Sequence, residues 1–97
     1  MLNLVAMDTT LGKGQTINVS DTKCGFYFVK SISNRWALLS IDPNDNKTII
    51  IHTSNFQSFF VTDASAIGLY LHATDGVLSI TNNGSGPIYP IRVLAMV

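Results

Sequence analysis

All six acidic side chains of this 97-residue chain are aspartates, and glutamate is absent. Glutamate builds helices, whereas the short aspartate carboxylate bonds nearby backbone amides and so belongs to turns and caps. Asp8, Asp21, Asp42, Asp45, Asp63 and Asp75 punctuate segments rich in Ile, Val, Thr and Phe. Turn-forming acids between β-branched and aromatic runs predict an all-β fold. Eight strand candidates fall between turn signals: Leu2–Met7, Gln15–Ser20, Gly25–Ile32, Trp36–Ile41, Thr48–Thr53, Ile67–Ala73, Val77–Thr81 and Ile88–Val97. The expectation is a small antiparallel β-sandwich or barrel, jelly-roll-like, of seven to eight short strands, forming one domain over residues 1–97.

Alternation supports most of these strands. Ile17 and Val19 share one face, and so do Phe26 and Phe28, with Tyr27 and Val29 opposite. "TDG" at Thr74–Gly76 is a hairpin signal. The segment Ser54–Val61 is open to two readings. Phe56, Phe59 and Phe60 after Ser54, with Gln57 three residues on, fit a capping box and one helical turn, whereas Val61 and Thr62 favour a strand.

The two ends depart from alternation. In "RVLAMV", Val93, Ala95 and Val97 fall on one face and Leu94 and Met96 on the other; "LVAM" at Leu4–Met7 behaves alike. A strand buried on one face alternates apolar with polar, so both faces of these segments are expected to leave water. A domain this small has a thin core. The terminal strands are therefore expected to pair, with Leu4, Ala6, Leu94 and Met96 forming an interface covered by another copy or another protein. The competing reading is two ordinary strands buried within one sandwich.

The surface composition agrees with close neighbours. Only 12% of residues are charged, against about 25% in typical domains, and six cations balance six anions. No net charge holds copies apart.

Chemistry is sparse. Asp42, Asn44 and Asn46 match the opening of a calcium loop, but Lys47 stands where glycine is needed and Thr53 where the bidentate glutamate belongs. "GKG" at Gly12–Gly14 lacks the rest of a phosphate loop. His52 and His72 have no ligand-spaced neighbours and Cys24 is alone, so no metal, no cofactor and no catalytic residue is assigned. Cys24 reads as a small buried apolar residue. Four lysines and two arginines among six aspartates do not make a nucleic-acid surface, and apolar runs of three residues do not span a membrane. The N-terminal segment lacks a basic n-region and an h-region, so no signal peptide is expected. One binding candidate stands out: in Asn34-Arg35-Trp36 an indole after a turn can lie on a sugar ring while asparagine bonds its hydroxyls. Alternatively, this single tryptophan anchors the core.

The stretch "DGVLSITNNGSGPIYPIRVLAMV", a hydrophobic strand, an Asn/Gly/Ser turn and a hydrophobic strand, resembles the closing hairpins of small β-structured modules of bacteriophage virions: fibre tips, head fibres and decoration proteins. The resemblance covers about a quarter of the chain. It implies a non-enzymatic virion component, a homo-oligomer with a trimer favoured, or one partnered by another virion protein. Synthesis and assembly in the host cytoplasm are implied as well. A glycan-binding, lectin-like β-sandwich is the alternative.

Overall fold

The computed structural model describes residues 2–19, 26–56, 58–86 and 88–96. Cys24, the "SDTK" turn and Gln57 of the capping-box pattern lie outside the described residues. Nine strands are present among those described: β1 (Leu2–Gly12), β2 (Thr16–Asn18), β3 (Phe26–Lys30), β4 (Trp36–Ile41), β5 (Ile49–Ser54), β6 (Phe60–Val61), β7 (Leu69–Thr74), β8 (Val77–Asn82) and β9 (Ile88–Met96). A five-stranded sheet runs β1-β9-β3-β4-β5 and a four-stranded sheet runs β2-β8-β7-β6. All pairings are antiparallel except the parallel β6–β7. The chain is an all-β sandwich whose sheets do not close into a barrel.

The core follows the period of two. From the five-stranded sheet, Tyr27, Val29, Ala37, Leu39, Ile91, Val93 and Ala95 point inward; Leu69, Leu71, Leu78 and Ile80 meet them from the other sheet. The terminal strands pair, with Leu2 opposite Met96 and Leu4 opposite Leu94. Strand β9 also pairs with β3, so it is central in its sheet. That position accounts for half of the apolar excess: Val93 and Ala95 are buried, while Leu94, in the opposite phase, faces outward and is half-buried.

Some boundaries differ from the sequence reading. Strand β1 runs past Asp8 to Gly12 through two register shifts, between Leu4 and Ala6 and between Ala6 and Thr9. These irregularities carry Leu11 into the core. The segment after Ser54 holds neither a helix nor a long strand among its described residues. It is a turn, in which the Phe59 and Phe60 amides donate to the Phe56 carbonyl at 3.1 and 3.5 Å, followed by the two-residue β6.

Strand β7 begins at Leu69 rather than at Ile67, which is left 72% exposed in the preceding loop. The reason is Gly68, whose φ of +147° side chains rarely adopt. A Cβ there would stand 2.6 Å from the Phe59 carbonyl oxygen. The close approach lets the Leu69 amide donate to that same oxygen at 2.7 Å, starting the parallel β6–β7 pair.

Asn82 is the buried polar joint between the sheets. Its side chain is fully enclosed. Nδ2 donates to the Leu11 carbonyl on β1 at 3.0 Å, and Oδ1 accepts from the Gly84 amide at 2.9 Å. Its backbone accepts from Gly14 N at 2.8 Å and donates to Gln15 O at 2.9 Å. One residue of β8 thus fixes the β1–β2 connection and the last turn before β9.

Two stability outcomes are expected. Asn82→Ala orphans a buried carbonyl and amide at about 1–3 kcal/mol each, lowering Tm by roughly 10 °C or more at about 4–8 °C per kcal/mol. Gly68→Ala forces a backbone contact and a strained φ of about 1–3 kcal/mol, so thermal unfolding should show a comparable loss. An unchanged Tm in either variant contradicts the joint assigned to it.

Candidate functional site

The five-stranded sheet carries an apolar outer face as well as an apolar inner one. Register places Leu94 beside Phe28 and Phe28 beside Leu38. Trp36 stacks on Phe28 with ring centroids 5.8 Å apart and planes 23° apart. Phe26 and Ile50 extend the patch and are 39% and 40% exposed. Phe28, Trp36, Leu38 and Leu94 are half-buried. Along the patch, the Phe26 ring lies 5.1 Å from that of His52, whose Nε2 shares a 2.7 Å hydrogen bond with Ser40 Oγ. Lys30, opposite both Arg92 and Trp36, brings charge to the other end.

Of the four residues expected at an interface, Leu94 therefore sits on this face. For Leu4, Ala6 and Met96 the backbone pairing is described: Leu4 opposite Leu94, Ala6 opposite Val93, and Met96 opposite Leu2 and Phe26. The sequence reading concentrated on the terminal strands and missed Phe28, Leu38 and Ile50. Their signal was present in the shared phase of Phe26 and Phe28, but only sheet order reveals that the phases of β9, β3 and β4 coincide on the outside.

The Asn34-Arg35-Trp36 turn spends much of its backbone polarity internally. Ser33 and Asn34 both have φ of +58°. Asn55 clamps the turn: its Nδ2 donates to the Asn34 carbonyl at 2.9 Å, and its Oδ1 accepts from the Trp36 amide at 2.7 Å. The Arg35 guanidinium lies over the rings of Phe56 and Phe59, 4.4 and 4.7 Å from their centroids. Trp36 belongs to the apolar outer face, and Arg35 belongs to the packing beneath the turn.

The four-stranded sheet presents a different outer face. Thr16, Thr81 and His72 are chained by hydrogen bonds: Thr16 Oγ1 to Thr81 Oγ1 at 2.6 Å and His72 Nε2 to Thr81 Oγ1 at 3.0 Å. Ser79 Oγ donates to Asn18 Oδ1 at 2.7 Å. Tyr70 and His72, two residues apart on β7, stack with centroids 4.4 Å and planes 10° apart. Partial burial of His72 holds its pKa below the ordinary imidazole value, favouring the neutral ring. The two histidines lie on different sheets, and the described residues contain no group of three His, Cys, Asp or Glu able to hold a metal ion. No helix of the described residues is long and apolar enough to cross a membrane.

The loop read against the calcium pattern is held by its own carboxylates. Asp42 Oδ1 accepts from Asn44 N at 2.8 Å, and Asp45 Oδ1 accepts from Lys47 N and Thr48 N at 2.9 Å each. Asp45 Oδ2 takes the Thr48 hydroxyl. These bonds, that of the Thr48 hydroxyl first, lower the Asp45 pKa to about 2. No protein-family model, curated protein or solved structure matches the chain.

The Asp45 bonds fix the sign of an acid response. The folded-state pKa lies below the unfolded value of about 3.9, so the contribution is complete above that value and is lost as pH falls toward about 2. In a series of thermal melts over this range, Asp45→Asn should flatten the decline of Tm. A variant curve parallel to that of the parent would remove Asp45 from the acid response.

Proposed function

We propose that the chain is a non-enzymatic assembly module that associates with copies of itself through the outer face of its five-stranded sheet, and that it serves as a virion component. The observation that carries this reading is the contiguous outward group Phe26, Phe28, Trp36, Leu38, Ile50 and Leu94. Soluble monomers seldom expose large contiguous apolar patches, whereas interfaces do. Two-layer packing hides only the inner phase of each strand, so burial of the outer phase requires a second molecule.

A second copy is the occupant that fits the charge. With six cations and six anions the chain has no net repulsion to overcome. Lys30 and Arg92 sit at one end of the apolar group and the Ser40–His52 pair at the other. Copies meeting in opposite directions set these cations against the Ser40–His52 pair, away from one another. The resemblance of residues 75–97 to closing hairpins of phage virion modules supports the virion part of the proposal, including assembly in the host cytoplasm.

Light scattering on the purified chain tests the association. The expected mass is a multiple of 10.5 kDa that persists at high salt, since apolar contact is not screened. Leu38→Asp and Leu94→Asp place carboxylates in the contact at a cost of several kcal/mol per buried ion. Each should reduce the particle to a monomer, weakening association roughly 100-fold or more, with a β spectrum retained. A parent chain that is monomeric at about 100 μM overturns the proposal.

A further inference from the structure

The second sheet contains an open groove of ≈ 480 Å³ beside Tyr70 and His72. Its origin is the shortness of β6. That strand pairs only with Leu69 and Tyr70, so β7 has no strand neighbour on that side from Leu71 to Thr74. The opposite wall is the end of the β4–β5 loop and the first residue of β5, with Lys47, Thr48 and Ile49. One end is closed where the Gly76 amide donates to the Asn46 carbonyl at 2.8 Å, tying the β7–β8 turn to the β4–β5 loop. Thr62 stands in the lining beside Tyr70. Asp45 holds Lys47 and Thr48 in place from behind, so this wall is set before any ligand arrives.

The lining selects a chemical class. Lys47 is the one charged residue among those facing the groove. One cation is too little to hold a polyanion, which needs several. Half of the rest carry hydroxyls, Thr48, Thr62, Thr74 and Tyr70, of which that of Thr48 already donates to Asp45. The ladder adds backbone groups. The two-residue turn Asp75-Gly76, with φ of +52° and +79°, makes Thr74–Val77 a hydrogen-bonded pair. Alternation then turns the amide and carbonyl of Ala73 away from β8, toward the groove. Paired flat rings, several neutral hydroxyls and an unpaired strand edge suit a ligand with an apolar ring face and a rim of hydroxyls.

We infer that this groove binds a neutral saccharide, one pyranose ring lying against the Tyr70–His72 pair and its hydroxyls bonding Thr62, Thr74 and the Ala73 backbone. An extended peptide added to β7 is the less favoured occupant. The unpaired stretch spans four residues, about 13 Å at 3.3 Å each, and lysine beside a free edge discourages strand addition. The site is also distinct from Asn34-Arg35-Trp36, none of which lines the groove. Burial of the apolar outer face leaves Tyr70, His72 and Thr74 accessible, because they lie on the outer face of the other sheet. The inference does not rest on self-association. Association would raise the avidity of a weak single site without adding any contact.

Saturation-transfer NMR on the full chain tests it, with methyl glycosides of glucose, galactose, mannose and N-acetylglucosamine and their short β-linked oligomers at about 5 mM. At least one should receive saturation and shift the backbone amides of residues 47–49, 62 and 70–74. Tyr70→Ala should weaken binding at least tenfold, Tyr70→Phe should keep the stacking and the binding, and Trp36→Phe should change neither. The exposed Thr62→Val should cost several-fold without affecting folding, and it decides the matter if Tyr70→Ala unfolds. The inference is overturned if no neutral saccharide is saturated, if the shifts cluster around Trp36, if a folded Tyr70→Ala or Thr62→Val binds like the parent, or if only extended tetrapeptides bind. The same panel run on monomeric Leu94→Asp separates the two proposals. Saccharide binding by the monomer supports the groove whatever becomes of the assembly, and its loss there places the sugar contact at the interface and overturns the groove.

Discussion

Successive side chains of a strand point to opposite faces, and a sandwich of two sheets buries only one face of each. That constraint governs this molecule. In the four-stranded sheet it is met in the ordinary way, with Leu69, Leu71, Leu78 and Ile80 inside and Tyr70, His72 and Thr81 outside. In the five-stranded sheet both phases are apolar, so Phe28, Leu38 and Leu94 stand outside a layer that already buries Val29, Leu39 and Val93. The surplus cannot be absorbed by repacking. Moving a strand by one residue to hide Leu94 would expose Val93 and Ala95.

The resulting particle has two unlike outer faces. One offers aromatic and aliphatic side chains, with the charge of Lys30 and Arg92 at its end. The other offers a network of hydroxyls and imidazole joined by hydrogen bonds, with a groove at its edge. In the proposed assembly, the face that gains by leaving water would turn toward a second copy, and the face already satisfied by short polar contacts would remain in solvent. Six cations balance six anions, so neither proposed contact has a net charge to overcome.

Few polar groups hold the sheets in this relation. Asn82 joins β8 to β1 through a fully enclosed amide, and Gly68 permits the tight approach that begins β6, a strand of two residues. The groove depends on that brevity, because a longer β6 would fill the edge of β7. Loop carboxylates act locally by comparison; Asp45 and Asp63 each bond amides two or three residues away and shape turns rather than sheet packing.

Local chemistry was enough to read several features directly. Asp42, Asp45, Asp63 and Asp75 announced turns, though Asp8 proved to lie within β1; the alternation of Phe26 to Val29 gave the inward and outward phases of β3, and the doubly apolar "RVLAMV" marked a strand that could not be an ordinary half-exposed one. These are legible because turn preference and the period of two act within a few residues. Other features waited on contacts between distant residues. The exit at Gly68 is set by the Phe59 carbonyl, the burial of Asn82 by the Leu11 carbonyl, and the apolar face by the alignment of β9 with β3 and β4. The groove arises from where β6 stops relative to β5. Sequence spacing carries no record of which strands become neighbours, so sheet order alone decided which apolar residues would share an outer face and which polar ones would line a groove.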